Sequence, residues 1–258
     1  GDLSTQATID PEITASALFV ARDAGVVCGL PHAALAFEAL DSRLLFEQKL
    51  SDGDHVTQGT IIASISGNAR SILSAERTAL NFMCHLSGIA TLTSQFVSQI
   101  THTDARMCCT RKTIPGFRAS QKYAVRCGGG SNHRFGLDDA ILIKDNHIAV
   151  SGGITKALEA AKSFAGHLVK IEVEVDTLEQ FEEALSAGAD CVLLDNFSVE
   201  RLKEAVQINR GRAALEASGG VKLDTVRAIA ESGVDYISSS QITMSASTFD
   251  IGLDIELR

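Results

Sequence analysis

The sequence has no apolar run approaching the roughly 20 residues that a membrane span requires. It also has no low-complexity tract, and 45% of its 258 residues are hydrophobic while 21% are charged. These values are typical of a soluble globular protein whose length allows one large or two modest domains. We therefore expect a folded chain with a substantial buried core and no contact with a membrane.

Positive charge is scarce over most of the chain. The net charge is −9, which argues against a general nucleic-acid-binding surface. However, residues 106–144 hold eight of the 23 lysines and arginines and only two acidic residues, Asp138 and Asp139. A basic focus within an acidic protein favours a small polyanionic ligand, because the surrounding field repels a long polyanion.

The cysteines show no CxxC pair and no zinc-ligand spacing. The chain has six of them, at positions 28, 84, 108, 109, 127 and 191. Most lie beside apolar residues, a pattern that indicates buried free thiols. Free thiols persist in reducing compartments, so we expect a cytoplasmic protein.

The first seventy residues contain short strands, turns and one helix. Apolar runs at 17–22 and 25–30 predict strands, and Pro31 predicts the start of a helix. The glycine-punctuated segment 51–67 resembles the sandwich repeat of lipoyl and biotin carrier domains. It lacks the lysine at the hairpin tip that would carry the cofactor, so we interpret this likeness as architectural.

A long helix is predicted from residue 68 onward. Apolar residues recur there at helical spacing, and Asn68 or Ser71 would cap the start. Gly88 interrupts the apolar pattern, which then resumes. Arg77 lies off the apolar stripe and reads, by itself, as an exposed helix cation.

After residue 105 the pattern changes to a regular alternation of short apolar runs and helical stretches. The runs predict six strands, at 107–110, 140–143, 168–175, 191–194, 213–217 and 234–237. Helices are predicted between the later runs, at 153–165, 177–187, 198–209 and 223–232. Since parallel strands need crossover helices, this order predicts a parallel sheet, as an open β/α barrel or a doubly wound sheet.

Polar residues follow these strands one after another, at the edge where both architectures place their chemistry. The first two strand ends carry the cations Arg111, Lys112 and Lys144. The glycine-rich connection between those strands carries His133 and Arg134. Arginine presents a planar fork that matches carboxylates, so this part predicts a carboxylate-binding region.

The later strands end differently. The middle two supply the carboxylates Glu174 and Asp195, which suit ribose hydroxyls, a developing cation or Mg²⁺. The last two end in 218–220 and 238–240, small residues of the kind that hold phosphate through backbone N–H groups. Glu174 alternates with valines, so a buried structural ion pair is the alternative to a catalytic role for it.

Ten segments resemble the quinolinate phosphoribosyltransferase family, in order and at compatible spacing over nearly the whole chain. They are Glu76–Asn81, Ser87–Thr91, Thr110–Thr113, Pro115–Arg118, Lys122–Tyr123, Gly128–Arg134, Lys144–His147, Val173–Val175, Leu193–Asn196 and Glu216–Gly220. The resemblance implies an α/β protein with an N-terminal α/β sandwich at 1–101, to which a C-terminal segment at 249–258 returns. It implies an open, TIM-like β/α barrel at 102–248 as the catalytic domain.

The resemblance also implies an activity: Mg²⁺-dependent transfer of phosphoribosyl from phosphoribosyl pyrophosphate to quinolinate, giving nicotinate mononucleotide, CO₂ and pyrophosphate in de novo NAD synthesis. The enzyme would be a homodimer in which Arg77 reaches into the partner's site. The implied catalytic residues are Lys112, Glu174 and Asp195, of which Glu174 and Asp195 would attend the metal, largely through substrate. The other implied substrate-binding residues are Thr110, Arg111, His133, Arg134, Lys144, Ser218, Gly219, Gly220, Ser239 and Ser240.

Three positions depart from the family pattern. Cys109 stands where the family usually has Asp, Ser239-Ser240 where it often has Val-Gly, and Met244 where it often has His. Ser240 reduces backbone freedom in the last phosphate loop but adds a hydroxyl donor.

Two other functions compete with this one. A related molybdenum-associated homologue would use another ring acceptor, although Arg77, His133, Arg134 and Lys144 favour a dicarboxylate. A non-catalytic carrier module built on the lipoyl-like segment is the second alternative, and the missing attachment lysine counts against it.

Overall fold

The computed structural model of the chain describes residues 1–256, so residues 257 and 258 of the predicted C-terminal return lie outside the described residues. The strands are β1 (Thr14–Ala21), β2 (Gly25–Val26), β3 (Leu45–Gln48), β4 (His55–Val56), β5 (Ile61–Asn68), β6 (Arg106–Cys108), β7 (Ile141–Ile143), β8 (Ile171–Val175), β9 (Cys191–Asp195), β10 (Ala214–Ser218), β11 (Tyr236–Ser238) and β12 (Ile251–Glu256). The helices are α1 (Leu3–Thr8), α2 (Leu30–Leu40), α3 (Ala69–Ile100), α4 (Arg118–Cys127), α5 (Asp145–Ser151), α6 (Ile154–Phe164), α7 (Leu178–Ser186), α8 (Val199–Asn209), α9 (Val226–Ala230) and α10 (Gln241–Met244).

The first compact unit comprises residues 1–94, 119–129 and the C-terminal segment from residue 246. Its main sheet is antiparallel, in the order β12-β1-β5-β3. Phe19 of β1 is fully buried and meets Phe37 of α2 edge-on, with ring centroids 5.9 Å apart. Such edge-to-face pairs stabilise a core beyond the area they bury.

Helix α3 begins where the sequence predicts. The Ser71 amide donates to Asn68 Oδ1 at 3.2 Å, so Asn68 is the capping residue of the two candidates. The helix continues through Gly88 without a break. A Cβ at Gly88 would lie 2.0 Å from the Ser247 carbonyl oxygen, so the glycine permits a close backbone approach.

The second compact unit comprises residues 95–118 and 130–245. It contains a parallel sheet in the order β6-β11-β10-β9-β8-β7. Successive strands from β7 to β11 are neighbours, and β6 then adds to β11. This order confirms the predicted open β/α barrel, with its opening between β6 and β7.

Several local predictions differ from the structure. The run 25–30 forms a strand only at Gly25–Val26, and α2 already begins at Leu30. Residues 168–170 precede β8 instead of belonging to it, and Leu168 is 85% exposed. The helices α4 and α5 were not predicted, because α4 buries the polar Gln121 and Lys122 and α5 buries no residue. Neither helix therefore shows an apolar stripe at helical spacing.

The interval predicted for the barrel, 102–248, includes residues 119–129, which pack in the first unit. The boundary after residue 101 stays a prediction. Within residues 1–256, no helix has the length and apolar character that spanning a membrane requires.

Candidate active site

Two adjoining cavities lie at the carboxyl ends of the parallel strands in the second unit. Their volumes are about 390 Å³ and about 450 Å³. They share five lining residues, Thr110, Lys112, Asp195, Ser218 and Ser238. The strand ends named in the sequence analysis therefore open onto one joined hollow.

The smaller hollow, here the cation cavity, is lined by the predicted residues Arg111, Lys112, His133, Arg134, Lys144, Glu174 and Asp195. The larger hollow, here the glycine cavity, is lined by Ser218, Gly219, Gly220, Ser239 and Ser240. Thr110 lines both. Every predicted site residue except Arg77 thus borders one of the two cavities. Arg77 is exposed on α3, in the first unit.

Strand alternation explains why these side chains meet. Successive residues of a strand point to opposite faces, so Val173 and Val175 are buried on one face of β8 while Glu174 faces the cavity. The register pairs Glu174 with Leu193, and Leu193 with Glu216. These three residues form a row across the sheet that lines the cation cavity.

Lys144 and Glu174 form an ion pair across the cation cavity. Glu174 is therefore ion-paired, but the Lys144 side chain is 46% exposed, so the pair is not the buried one of the alternative interpretation. Beside it, Asp195 Oδ2 accepts from Asn196 Nδ2 at 2.7 Å. Partial burial raises the pKa of Asp195, Asp176 adds to that effect, and Lys144 and Lys112 oppose it.

The imidazole of His133 has protein partners at both nitrogens. Nε2 lies 2.9 Å from Glu172 Oε2, and Nδ1 accepts the Arg134 amide at 2.8 Å. A backbone N–H can only donate, so the geometry assigns the ring proton to Nε2, directed at Glu172. His133 thereby fixes the start of the segment that presents Arg134.

A buried acidic layer lies under this imidazole, and the sequence analysis did not identify it. Glu172 and Glu216 are almost fully buried, and Glu216 Oε1 lies 3.7 Å from His133 Nε2. Burial raises the pKa of Glu216 to about 7, and the neighbouring Glu172 adds to the rise. Cys191 Sγ donates to Glu172 Oε1 at 3.3 Å, and burial followed by the Glu172 charge raises the pKa of that thiol. Strand alternation was the signal that could have found these carboxyls.

Two arginines of the cation cavity have unused hydrogen-bonding capacity. Nε of Arg111 and Nε of Arg134 are buried without a hydrogen-bond partner among the described residues. Burial lowers the pKa of Arg134, and the charge of Arg111 adds to that effect. Both arginines line the cavity, and a bound anion there would supply acceptors to guanidinium groups whose hydrogen-bonding capacity the protein does not fill.

The glycine cavity has a backbone conformation that side chains disfavour. Gly219 and Gly220 have φ values of +89° and +62°. A Cβ on Gly219 would lie 2.2 Å from Asn196 Oδ1, whereas a Cβ on Gly220 would meet nothing within 4 Å. The Asn196 amide in turn donates to the Ser218 carbonyl at 2.8 Å, which locks the two strand ends together. Exposed backbone N–H groups in such a turn suit a phosphate.

Several cavity residues were not predicted. They are Leu142, Leu193, Asn196, Glu216, Val221, Lys222, Gln241 and Ser245. Lys222 adds a cation to the glycine cavity. Ser239 Oγ has partners within the protein, since it donates to the Val221 carbonyl and accepts the Gln241 amide, both at 3.2 Å.

Comparison with known proteins gives a consistent result across the chain. Residues 2–87 match the family "Quinolinate phosphoribosyl transferase, N-terminal domain" and residues 89–254 match its C-terminal domain. A probable nicotinate-nucleotide pyrophosphorylase [carboxylating] of Bacillus subtilis is 42% identical over 257 residues, covering 100% of this chain and 89% of that protein. Its Mycobacterium leprae counterpart is 42% identical over 98% of this chain and 91% of its own length. The nicotinate-nucleotide pyrophosphorylase structure from Francisella tularensis superposes with a TM-score of 0.96 at 44% identity, covering 99% of this chain and 90% of that chain.

Proposed function

The chain belongs to the quinolinate phosphoribosyltransferase family, and we propose that its joined cavities carry out the reaction for which that family is named. The protein transfers phosphoribosyl from phosphoribosyl pyrophosphate to quinolinate with decarboxylation. The products are nicotinate mononucleotide, CO₂ and pyrophosphate, and the pathway is de novo NAD biosynthesis.

One observation carries this proposal. Two arginines whose Nε donors lack partners, two carboxylates and a glycine turn line one joined hollow. Planar dicarboxylates match arginine forks, and a 5′-phosphate matches the glycine turn. Asp195 borders both cavities, where a ribose would bridge the two ends.

The side chains that line the two cavities would orient both substrates. Arg111, Arg134 and Lys144 would hold the quinolinate carboxylates and fix the ring. The ring nitrogen attacks C1 of the ribose while pyrophosphate leaves toward Lys112. Positive charge then develops on the sugar, and Glu174 and Asp195 stabilise it electrostatically. The positive charge on the quaternised ring nitrogen stabilises the carbanion left at C2 when the 2-carboxylate departs as CO₂, and a proton from water then adds to C2.

Mg²⁺ is the proposed cofactor, and the donor chemistry fits it. Glu174 and Asp195 offer hard carboxylate oxygens at the cavity wall, which Mg²⁺ prefers. Both carboxylates have nearby lysines, so they would hold the ion chiefly together with the substrate's own phosphates. When bound, the ion neutralises pyrophosphate charge as it leaves.

The direct test incubates the purified protein with quinolinate, phosphoribosyl pyrophosphate and Mg²⁺, and omits each in turn. We expect nicotinate mononucleotide and CO₂ only in the complete mixture. Nicotinate replaces quinolinate in a parallel reaction. Exclusive use of nicotinate would refute the proposed reaction, because phosphoribosyl transfer to nicotinate releases no CO₂.

We further propose a homodimer in which Arg77 completes the partner's site. Arg77 is exposed and borders neither cavity among the described residues, which leaves its guanidinium available to a second copy. Arg77→Ala and Lys112→Ala should each be inactive alone. Mixed and allowed to exchange subunits, they should regain about one quarter of wild-type activity, because half the dimers would hold one intact site. A mixture as inactive as its parts would contradict this arrangement. The six free cysteines support a cytoplasmic location.

A further inference from the structure

Three metal-binding side chains converge in the first unit, outside both cavities. Sγ of Cys28, Sγ of Cys127 and a carboxylate oxygen of Asp52 all lie within 4.8 Å of one another. Cys28 follows β2, Asp52 lies in the turn between β3 and β4, and Cys127 ends α4. Cys28 is fully buried, and the other two residues are partly buried. The three side chains are therefore largely shielded from solvent, but a ligand can still reach them.

Backbone hydrogen bonds hold the first two of these segments in place. The Gly53 amide donates to the Val27 carbonyl at 2.8 Å, and the Val27 amide donates to the Asp54 carbonyl at 3.0 Å. The buried Ser87 hydroxyl accepts the Cys28 amide at 2.8 Å and donates to the Cys28 carbonyl at 3.0 Å. The thiol and the carboxylate are thus fixed before any ligand arrives.

The carboxylate itself is oriented by two donors. Asp52 Oδ1 accepts the Leu30 amide at 3.0 Å, and Oδ2 accepts the Tyr123 hydroxyl at 2.8 Å. Each carboxylate oxygen keeps a second lone pair. Ligating carboxylates in proteins are characteristically held in this way by outer hydrogen bonds.

We propose that Cys28, Asp52 and Cys127 form a binding site for a borderline-soft divalent cation such as Zn²⁺, with water as the fourth ligand. Thiolates select such ions over Mg²⁺. Tetrahedral Zn²⁺ with bonds of about 2.3 Å to sulfur needs the two sulfurs about 3.8 Å apart, which the observed cluster can reach with small side-chain movements. Binding releases two thiol protons to solvent and forms two metal–sulfur bonds.

The surroundings favour a cation at this point. Cys127 lies at the C-terminus of α4, where the aligned peptide dipoles place partial negative charge. The site shares no residue with the joined cavities, so it is independent of the proposed reaction.

The test titrates the full-length, fully reduced, metal-free protein with Co²⁺, a spectroscopic substitute for Zn²⁺. We expect thiolate-to-cobalt charge-transfer bands that saturate at one equivalent and disappear when Zn²⁺ is added. Cys28→Ser and Cys127→Ser should lose these bands, and Asp52→Asn should weaken Co²⁺ binding at least tenfold. Cys84→Ser is the matched control, since Cys84 is also partly buried but lies outside the cluster. Cobalt in the catalytic cavity would give no thiolate bands.

Several results would overturn the proposal. One is a wild type without a charge-transfer band, and another is a band that survives in both cysteine variants. Without reductant, a mass lower by two hydrogens in the wild type and in Cys84→Ser, but not in Cys28→Ser or Cys127→Ser, would show that the pair is a disulfide site instead.

Zn²⁺ should also raise the thermal midpoint of the wild type and of Cys84→Ser but not that of Cys127→Ser, whose partly exposed position tolerates the change. If Cys127→Ser loses this thermal shift but keeps full catalytic activity, the result supports the metal site, because the metal site and the joined cavities share no residue.

Discussion

Replacing Gly219 by alanine tests the geometry of the glycine cavity most directly, and Gly220→Ala is its matched control. Both glycines have positive φ, so alanine at either position costs about 1–2 kcal/mol in backbone strain. Only at Gly219 does the new Cβ also meet atoms, namely Asn196 Oδ1 at 2.2 Å and Asn196 N at 2.8 Å. Forcing an atom into such a contact costs typically about 1–3 kcal/mol more.

The predicted difference in stability between the two variants follows from the steric contact with Asn196, which only Gly219→Ala makes. With about 2–4 °C of thermal midpoint for each kcal/mol in a chain of this size, Gly219→Ala should melt several degrees below Gly220→Ala. Activity should differ as well, because the displaced Asn196 donates to Asp195. We expect Gly219→Ala to lose kcat and to raise the KM for phosphoribosyl pyrophosphate, and Gly220→Ala to raise that KM alone.

The assay combines thermal unfolding with steady-state kinetics, and it includes the double variant Gly219→Ala/Asn196→Gly. Removing the Asn196 side chain eliminates the 2.2 Å contact, so part of the lost stability should return. The kcat should stay low, because the donor to Asp195 is gone as well. Equal midpoints for the two single alanine variants would refute the reasoning.

Two further predictions concern single side chains. The Glu216 carboxyl keeps its proton in the folded protein up to about pH 7, whereas the unfolded chain releases it near 4.5, so stability should fall as the pH rises through that window. Glu216→Gln removes this dependence, so its free energy of unfolding in urea, relative to that of the wild type, should rise from pH 5 to pH 7. If the two unfolding free energies change with pH in parallel, the pKa of Glu216 is not raised. Lys112 is exposed, so Lys112→Ala should change the unfolding free energy by less than about 0.5 kcal/mol while abolishing turnover. Near-normal kcat in that variant would remove Lys112 from the catalytic residues.

The alternation of strand and helix after residue 105 is readable in the sequence because each strand there is a short apolar run followed by a polar end. That local order is enough to place Lys144, Glu174 and Asp195 at one edge of a parallel sheet, since parallel strands share the direction in which they end. Helix α4 could not be predicted from apolar periodicity, because its buried positions include the polar Gln121 and Lys122, which periodicity assigns to solvent.

Chain order by itself determined which side chains stand at each strand end, since that depends on neighbours only a few residues away. How deeply a side chain is buried, and which side chains meet, depended on contacts between residues far apart in the sequence. Glu172 and Glu216 lie 44 positions apart yet flank one imidazole only because β8 and β10 both pair with β9. Cys28, Asp52 and Cys127 have no spacing that resembles a metal motif, and only the packing of α4 in the first unit brings the three together.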